Sequence, residues 1–303
     1  MDSPLFRAVS EWERPMANPI NEETNSRRQS KVDRCRAMLR SLQSVVVAFS
    51  AGVDSTFLLA LAVETLGAEK ALAAMGISPS LASRERQAGR KLAHQLGAEL
   101  VEIETSELAD PNYSANLPDR CFYCKSDLFG RLTKLAAERG FRAVVSGANV
   151  DDAGDFRPGM KAAKALGVHS PLMEAGLTKD DIRAASRAMH LPTWNKPAMA
   201  CLASRVPYGR KVTEEVLGRI ESAEDALKAL GFNQCRVRDH YPVARVEIPP
   251  DKLLAAVESR PLIVKALKSV GYTYVTLDLE GFRSGSMNAV LPESTTRSGD
   301  ASA

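Results

Sequence analysis

Ser50-Ala51-Gly52-Val53-Asp54-Ser55 stands between the apolar run Val45-Val46-Val47-Ala48-Phe49 and a helical pattern from Thr56 to Leu66. The β-branched run reads as a buried parallel strand, and Phe57, Leu58, Leu61, Ala62 and Leu66 recur at helical spacing. The chain is therefore predicted to turn from strand to helix over residues 50–55. At such a junction unpaired helix N–H groups and the positive end of the helix dipole meet whatever lies over the loop, and an anion suits them. Gly52 would let a phosphate approach the backbone, Ser50 and Ser55 offer hydroxyls, and Asp54 can cap the helix or hold a magnesium ion. No lysine follows in the Walker manner. An ordinary strand-to-helix turn capped by Ser and Asp would use the same residues without a ligand.

A chain of 303 residues is long enough for about two domains, each with a substantial core. Hydrophobic residues make up 45% and charged residues 25%, and no run approaches the roughly 18 consecutive apolar residues of a membrane span. The early residues, Asp2, Glu11, Glu13 and Arg14 among them, show no apolar core followed by a cleavage site, so a soluble, cytoplasmic protein is expected. A net charge of +3 with interspersed signs argues against a dedicated nucleic-acid surface. Five cysteines, an odd number, speak for thiol or metal chemistry over a disulfide framework. The expected partners are small molecules and further copies of the chain in a homo-oligomer, with no membrane and no nucleic acid.

Residues 1–28 are polar, without a sustained period, and read as a flexible tail, followed by a short helix over 34–42. From Val45 strands and helices alternate: helix 56–66, strand 71–77, helix 81–96, strand 99–104, helix 126–139, strand 143–146 and helix 179–190. This alternation implies an α/β fold with a parallel, doubly wound, Rossmann-like sheet over 29–197. Ligands on such sheets bind beyond the carboxyl ends of the strands, where both residues 50–55 and Ser146-Gly147-Ala148-Asn149 would lie. A smaller α+β domain is expected over 198–290, from helix 213–230, strands 234–239 and 244–248, helix 251–270 and strand 273–278. The Ser- and Thr-rich residues 291–303 are expected to be disordered.

Cys121 and Cys124 form a C-x-x-C unit ahead of the predicted helix. Half of a zinc site, a thioredoxin-like redox pair and two core cysteines are all open readings. A fourth adds Cys201 at the domain junction: three thiolates can hold a 4Fe–4S cluster and leave one iron open. Arg236 and Arg238 share one face of a period-2 strand and, with Arg205 and Arg245, supply planar donors for phosphate and carboxylates. A solvated strand face explains alternating arginines as well. Glu224 and Glu247 would hold a metal, orient these arginines, or simply be solvated. Asn149, Asp151 and Asp152 either face a nucleotide or cap the next segment. Lys179 opens a helix, where a phosphate would explain a cation placed against the dipole. Cys35 and Cys235 read as structural, and Trp194 as packing at the junction.

The hexapeptide at 50–55 resembles the Ser-Gly-Gly-x-Asp-Ser loop of the PP-loop ATP pyrophosphatases, with Ala51 in place of the second Gly. A methyl at 51 is expected to require negative φ there. The segment Lys196-Pro197-Ala198-Met199-Ala200-Cys201-Leu202-Ala203-Ser204-Arg205-Val206-Pro207-Tyr208-Gly209 carries a narrower resemblance. Together with Ser146 to Asp152, Leu177-Thr178-Lys179 and Leu279 to Ser286, it is similar to the LarE family of ATP-dependent sulfur transferases. The likeness runs in order from about residue 30 to 290. It implies ATP and Mg2+ at Ser50, Ala51, Gly52, Val53, Asp54, Ser55, Asn149, Asp151 and Asp152, with Asp54, Lys179 and Cys201 catalytic. The implied reaction adenylates a carboxylate of pyridinium-3,5-biscarboxylic acid mononucleotide, releases pyrophosphate and puts sulfur in place of the activated oxygen. In some members the cysteine matching Cys201 gives up its own sulfur. In others, thiols matching Cys121, Cys124 and Cys201 hold a 4Fe–4S cluster that donates an added sulfide, and this chain has all three. Ser204, Arg205, Arg236, Arg238, Arg245, Glu224 and Glu247 would then bind the mononucleotide. A tRNA thiolase, an amide-forming ligase and an adenine-nucleotide sensor are the rival readings; the first should carry a strongly basic surface or an added RNA-binding module, which this chain does not clearly show.

Overall fold

The computed structural model describes residues 19–154, 158–197, 200–283 and 286–291. In chain order the elements are α1 Pro19–Leu42, β1 Val45–Ala48, α2 Val53–Leu66, β2 Ala71–Ile77, α3 Ser83–Gln95, β3 Leu100–Glu104, α4 Pro111–Ser114, α5 Arg120–Arg139 and β4 Ala143–Ser146. There follow α6 Pro158–Ala165, α7 Pro171–Glu174, α8 Lys179–Ala188, α9 Glu214–Ala229, β5 Arg236–His240, β6 Val243–Glu247, α10 Leu253–Glu258, α11 Arg260–Ser269 and β7 Tyr274–Leu277.

The first sheet has the order β3-β2-β1-β4, and every pair in it is parallel. Alternate residues of β1 face opposite layers. Val45 and Val47 pack with Phe57, Leu58 and Leu61 of α2, Leu39 of α1 and Ile182 of α8. Val46 packs with Phe129, Leu132 and Ala136 of α5 and Ala162 of α6. Helices thus cover both faces, as the near-continuous apolar strands require, and the doubly wound α/β fold expected from the sequence is present. The smaller domain holds a mixed sheet of order β5-β6-β7, antiparallel between the first two and parallel between the last two. Its core is formed by Leu227, Val237, Val246, Ile248 and Leu267 among others.

Three boundaries differ from the sequence reading for physical reasons. Helix α1 begins within the stretch expected as a tail; residues 1–18 lie outside the described residues. Ion pairs replace an apolar stripe over its first turns: Arg27 with Glu23 at 2.5 Å, and Lys31 with Asp181 of α8 at 2.6 Å. Helix α5 starts at Arg120, directly after Asp119, so the C-x-x-C unit lies in its first turn instead of ahead of it. The single helix expected over 251–270 is broken at Ser259, because Pro261 lacks the N–H that would continue the ladder.

Register sets the site. Ala48 is paired with Ser146, so the turns leaving β1 and β4 emerge side by side at the carboxyl edge, where β1 has β2 on one flank and β4 on the other. Contact there is close: a Cβ at Gly147 would lie 2.9 Å from the backbone nitrogen of Ser55 and 3.1 Å from its Cα. Since backbone cannot swing aside as a side chain does, Gly147→Ala is expected to cost about 1–3 kcal/mol in urea unfolding. A cost near zero would show that the two turns separate freely.

Candidate active site

The first ten residues of α2 are buried except Asp54, and its N-cap, Gly52, supplies no side-chain bond to the first turn. Those N–H groups are left for a ligand. Ser50 and Ser55 brace the loop through an Oγ···Oγ contact of 3.1 Å, and the Ser50 N–H donates to Ser55 Oγ at 3.2 Å. Ala51 adopts φ +55°, against the expectation of negative φ. The loop demands the left-handed conformation usually given to Gly, and the strain is offset by burial of the methyl, which has no solvent exposure.

Asp54 meets two demands. Its Oδ2 accepts from the ammonium of Lys179, the first residue of α8, while its Oδ1 is buried and has no protein partner. Lys179, for which the sequence suggested a phosphate, thus stands on a carboxylate in the first turn of α2. Asn149, Asp151 and Asp152 bond to nearby backbone: Asp152 Oδ2 accepts from the Asn149 N–H, Asn149 Oδ1 from the Asp151 N–H, and Asp151 Oδ2 from the Lys179 N–H at 2.7 Å. The capping alternative describes these contacts, and they fix Lys179 beside Asp54.

Cys121 and Cys124 occupy the first turn of α5, and Cys201 caps a short 3-10 turn over Leu202–Arg205. The two segments are sewn together. Arg120 donates to the Ala203 carbonyl at 2.9 Å, and Asn116 Nδ2 to the carbonyls of Val206 and Pro207. The Leu202 N–H reaches the Ser80 carbonyl beyond β2, and Ser80 Oγ meets the buried Tyr113 hydroxyl at 2.6 Å. The thiols feel one another. Burial pushes Cys124 up to about 12, and the charges of Cys201, Glu107 and Cys121 add to the rise against the pull of Lys125. Cys121 is raised by burial and by Cys201, opposed by Arg120 and Lys125. Among the described residues no three His, Cys, Asp or Glu side chains stand close enough to hold a single metal ion. Cys35 and Cys235 are buried in separate cores.

The arginine cluster is ordered by two carboxylates that have no solvent exposure, Glu224 and Glu247, which overturns the solvated reading of both. Arg205, itself buried, pairs with Glu224 at 2.8 Å and gives its remaining donors to the carbonyls of Ala200 and Cys201 and to Ser204 Oγ. Arg238 forks onto Glu247 at 2.9 and 2.6 Å and also reaches the Ser204 carbonyl. Arg245 joins Glu247 at 3.2 Å. Arg236 stacks over Phe282, and its guanidinium is lowered to about 10 by burial and by the charge of Arg205. Arg205 and Arg238 therefore face inward and shape the Cys201 turn. Residues the sequence reading passed over complete this network: Arg84 joins Glu224, and Lys196 reaches the nucleotide loop. Arg120, flanking the C-x-x-C unit, and Lys196, within the quoted junction segment, were legible signals.

Fold and loop define a PP-loop enzyme of the ATP-using α/β class. A model of the NAD synthase family matches residues 29–119. An uncharacterized protein of Synechocystis sp. is 42% identical over 265 residues, covering 87% of this chain and 98% of the relative. The pyridinium-3,5-bisthiocarboxylic acid mononucleotide synthase of Lactiplantibacillus plantarum is 38% identical over 255 residues, 84% of this chain and 92% of that one. An uncharacterized protein of Methanocaldococcus jannaschii is 32% identical over 169 residues, 56% and 66% of the two chains. The chain belongs to the LarE family, that of the Lactiplantibacillus synthase. Among the described residues no helix is long and apolar enough to cross a membrane.

Arg205→Ala is expected to cost about 3–5 kcal/mol of stability, because it strips a buried carboxylate of its main partner. Weaker substrate binding at unchanged stability would make Arg205 a substrate contact instead. Burial alone would raise the Glu224 carboxyl, and the charge and hydrogen bonds of Arg205 together with the charges of Arg236 and Lys228 outweigh it, leaving the pKa below its ordinary value. The unfolded chain then takes up this proton more readily, so the stabilisation is full above about pH 4.3 and fades as pH falls through the lower folded value. Glu224→Gln is expected to flatten that acid limb in thermal melts. In metal-free protein at neutral pH, Cys124 is expected to react with iodoacetamide at least about tenfold more slowly than free cysteine, since little of it is thiolate.

Proposed function

We propose that this protein is an ATP-dependent sulfur transferase that turns a carboxylate of pyridinium-3,5-biscarboxylic acid mononucleotide into a thiocarboxylate, as a cytoplasmic homo-oligomer. The observation that carries the reading is the seam joining Cys201 to the C-x-x-C turn of α5 beside the carboxyl edge that bears residues 50–55. A carboxylate is a poor electrophile. Its oxygen attacks the α-phosphorus of ATP, pyrophosphate leaves, and the acyl adenylate now carries AMP as a good leaving group. A sulfur nucleophile adds at the acyl carbon, and AMP departs with the former carboxylate oxygen.

The chain's own groups fit these steps. The uncapped first turn of α2 and the hydroxyls of Ser50 and Ser55 receive phosphate oxygens. Asp54 Oδ1, buried and unpartnered, would hold Mg2+, which supplies charge neutralisation on the departing pyrophosphate. Lys179 on the other oxygen keeps that carboxylate aimed. For the mononucleotide, Arg236 and Arg245 are the partly exposed members of the arginine cluster, and Arg205, Arg238, Glu224 and Glu247 hold the surrounding wall with Ser204.

Cys121, Cys124 and Cys201 are soft donors and would hold a 4Fe–4S cluster; the raised thiols of Cys121 and Cys124 would gain from a cationic partner. Such a cluster leaves one iron without a protein ligand and so supplies a place for sulfide. A second reading draws on the exposure of Cys201 at the start of its turn: this cysteine gives up its own sulfur.

Anaerobically reconstituted protein incubated with ATP and the dicarboxylated mononucleotide should release AMP and pyrophosphate and yield the thiocarboxylate. ADP as the product, or salt-sensitive binding of tRNA, would refute the reading. Asp54→Ala should abolish turnover while leaving the protein folded in thermal melts, since Asp54 stands at the edge of the core and its Oδ1 has no protein partner. A brown absorption band lost in each single Cys121, Cys124 or Cys201 variant supports the cluster, whereas dehydroalanine at Cys201 formed in step with product selects the second reading.

A further inference from the structure

Lys196 belongs to neither the nucleotide loop nor the thiol cluster, yet it touches the first and is wired to the second. Its ammonium donates to the Ala51 carbonyl at 3.1 Å and to Glu85 Oε2 at 3.0 Å. Glu85 lies 3.9 Å from Arg84, and Arg84 pairs with Glu224 at 3.2 Å. Glu224 pairs with Arg205 at 2.8 Å, and Arg205 donates to the carbonyls of Ala200 at 2.7 Å and Cys201 at 3.0 Å. Five charged side chains, alternating in sign, thus run from the backbone of the nucleotide loop to the backbone of the sulfur-bearing turn.

The loop end of this chain sits on a conformation that has to be held. Ala51 is at φ +55°. In a trans peptide the carbonyl and the following N–H point opposite ways, so fixing the Ala51 carbonyl on Lys196 turns the Gly52 N–H to the opposite side. An ammonium has three donors and two are committed here, so an anion reaching the loop takes the third or displaces Glu85. Either change redistributes the pairs behind it. These groups are buried or half-buried, with Lys196, Glu85 and Arg84 between 23% and 27% exposed, and solvent screens such a change only partly.

We propose that Lys196 is a positioning residue that sets the 51–52 peptide for the nucleotide and couples nucleotide occupancy to the placement of Cys201. This rests on the sulfur-transferase reading for its purpose, and its test needs no sulfur transfer. In metal-free protein, the alkylation rate of Cys201 is followed by mass spectrometry with and without a non-hydrolysable ATP analogue and Mg2+. The analogue is expected to change the Cys201 rate at least threefold in the wild type. In Lys196→Met the analogue should bind at least tenfold more weakly, and at saturation it should leave the Cys201 rate unmoved. Lys196→Arg should recover part of both effects, and Glu85→Gln should keep binding while losing the coupling. Thermal melts confirm that each variant is folded. An unchanged Cys201 response in folded Lys196→Met, or no response in the wild type, would overturn the proposal. Failure of the sulfur-transferase reading would instead appear as missing thiocarboxylate with the coupling intact.

Discussion

Glu224 has no contact with solvent, and two guanidinium groups reach it from different parts of the chain: Arg205 from the Cys201 turn and Arg84 from the start of α3. A buried carboxylate is tolerable only when paired and hydrogen-bonded. The pairing therefore dictates where three segments sit. Helix α9, which carries Glu224, is drawn against α3, where Glu221 accepts from the Ser83 N–H and Asp225 accepts from Arg84. The Cys201 turn is drawn onto α9 by the same contact. Apolar packing by Ala82, Leu202, Ala203, Val206, Leu217 and Ile220 fills the joint, but apolar contact has no direction, and the ion pairs specify the angle.

From that constraint the chemistry of the junction follows. Arg120 is buried, holds the Ala203 carbonyl, and lowers Cys121 against the rise caused by burial and Cys201. One cation thus serves two ends: it sews α5 to the Cys201 turn and offsets part of the cost of thiolate charge. The offset is incomplete. Cys124 stands at about 12 and Cys121 is raised as well, so these two thiols stay protonated at neutral pH. A C-x-x-C pair of this kind is quiet toward stray electrophiles.

Legibility followed the physics of each signal. Strand β1 and helix α2 were readable because burial of β1 on both faces leaves a run of Val and because α2 follows with apolar residues at helical spacing. The first turns of α1 were hidden because they are held by ion pairs to α8 and within the helix, which leave no apolar period. Residue types located the candidate site: a loop with Ser, Gly and Asp after a strand, and cysteines at two places. Roles were harder. Glu224 and Glu247 look like surface residues in a sequence, and only three-dimensional pairing with Arg205 and Arg238 makes them interior. Ala51 went the other way: its methyl suggested negative φ, while the loop path demanded +55°.

Ala51 also bears on how the two halves of the reaction share one crevice. A glycine there would reach the left-handed region without strain, but it would fill no space at a point with no solvent access. The methyl lies against α3, 3.5 Å from where a Cβ on Gly89 would stand, and the end of the Met75 side chain occupies that same position. Helix α3 is thereby seated directly on the nucleotide loop. Its other end of contact is Arg84 on Glu224. A helix with one residue on the loop and another on the buried carboxylate transmits position by its own stiffness, in parallel with the side-chain path through Lys196. In the proposed reaction, adenylation and sulfur delivery would place an acyl carbon within bonding reach of both phosphate and sulfur in turn. Two rigid connections between their supporting segments meet that requirement better than a flexible loop would.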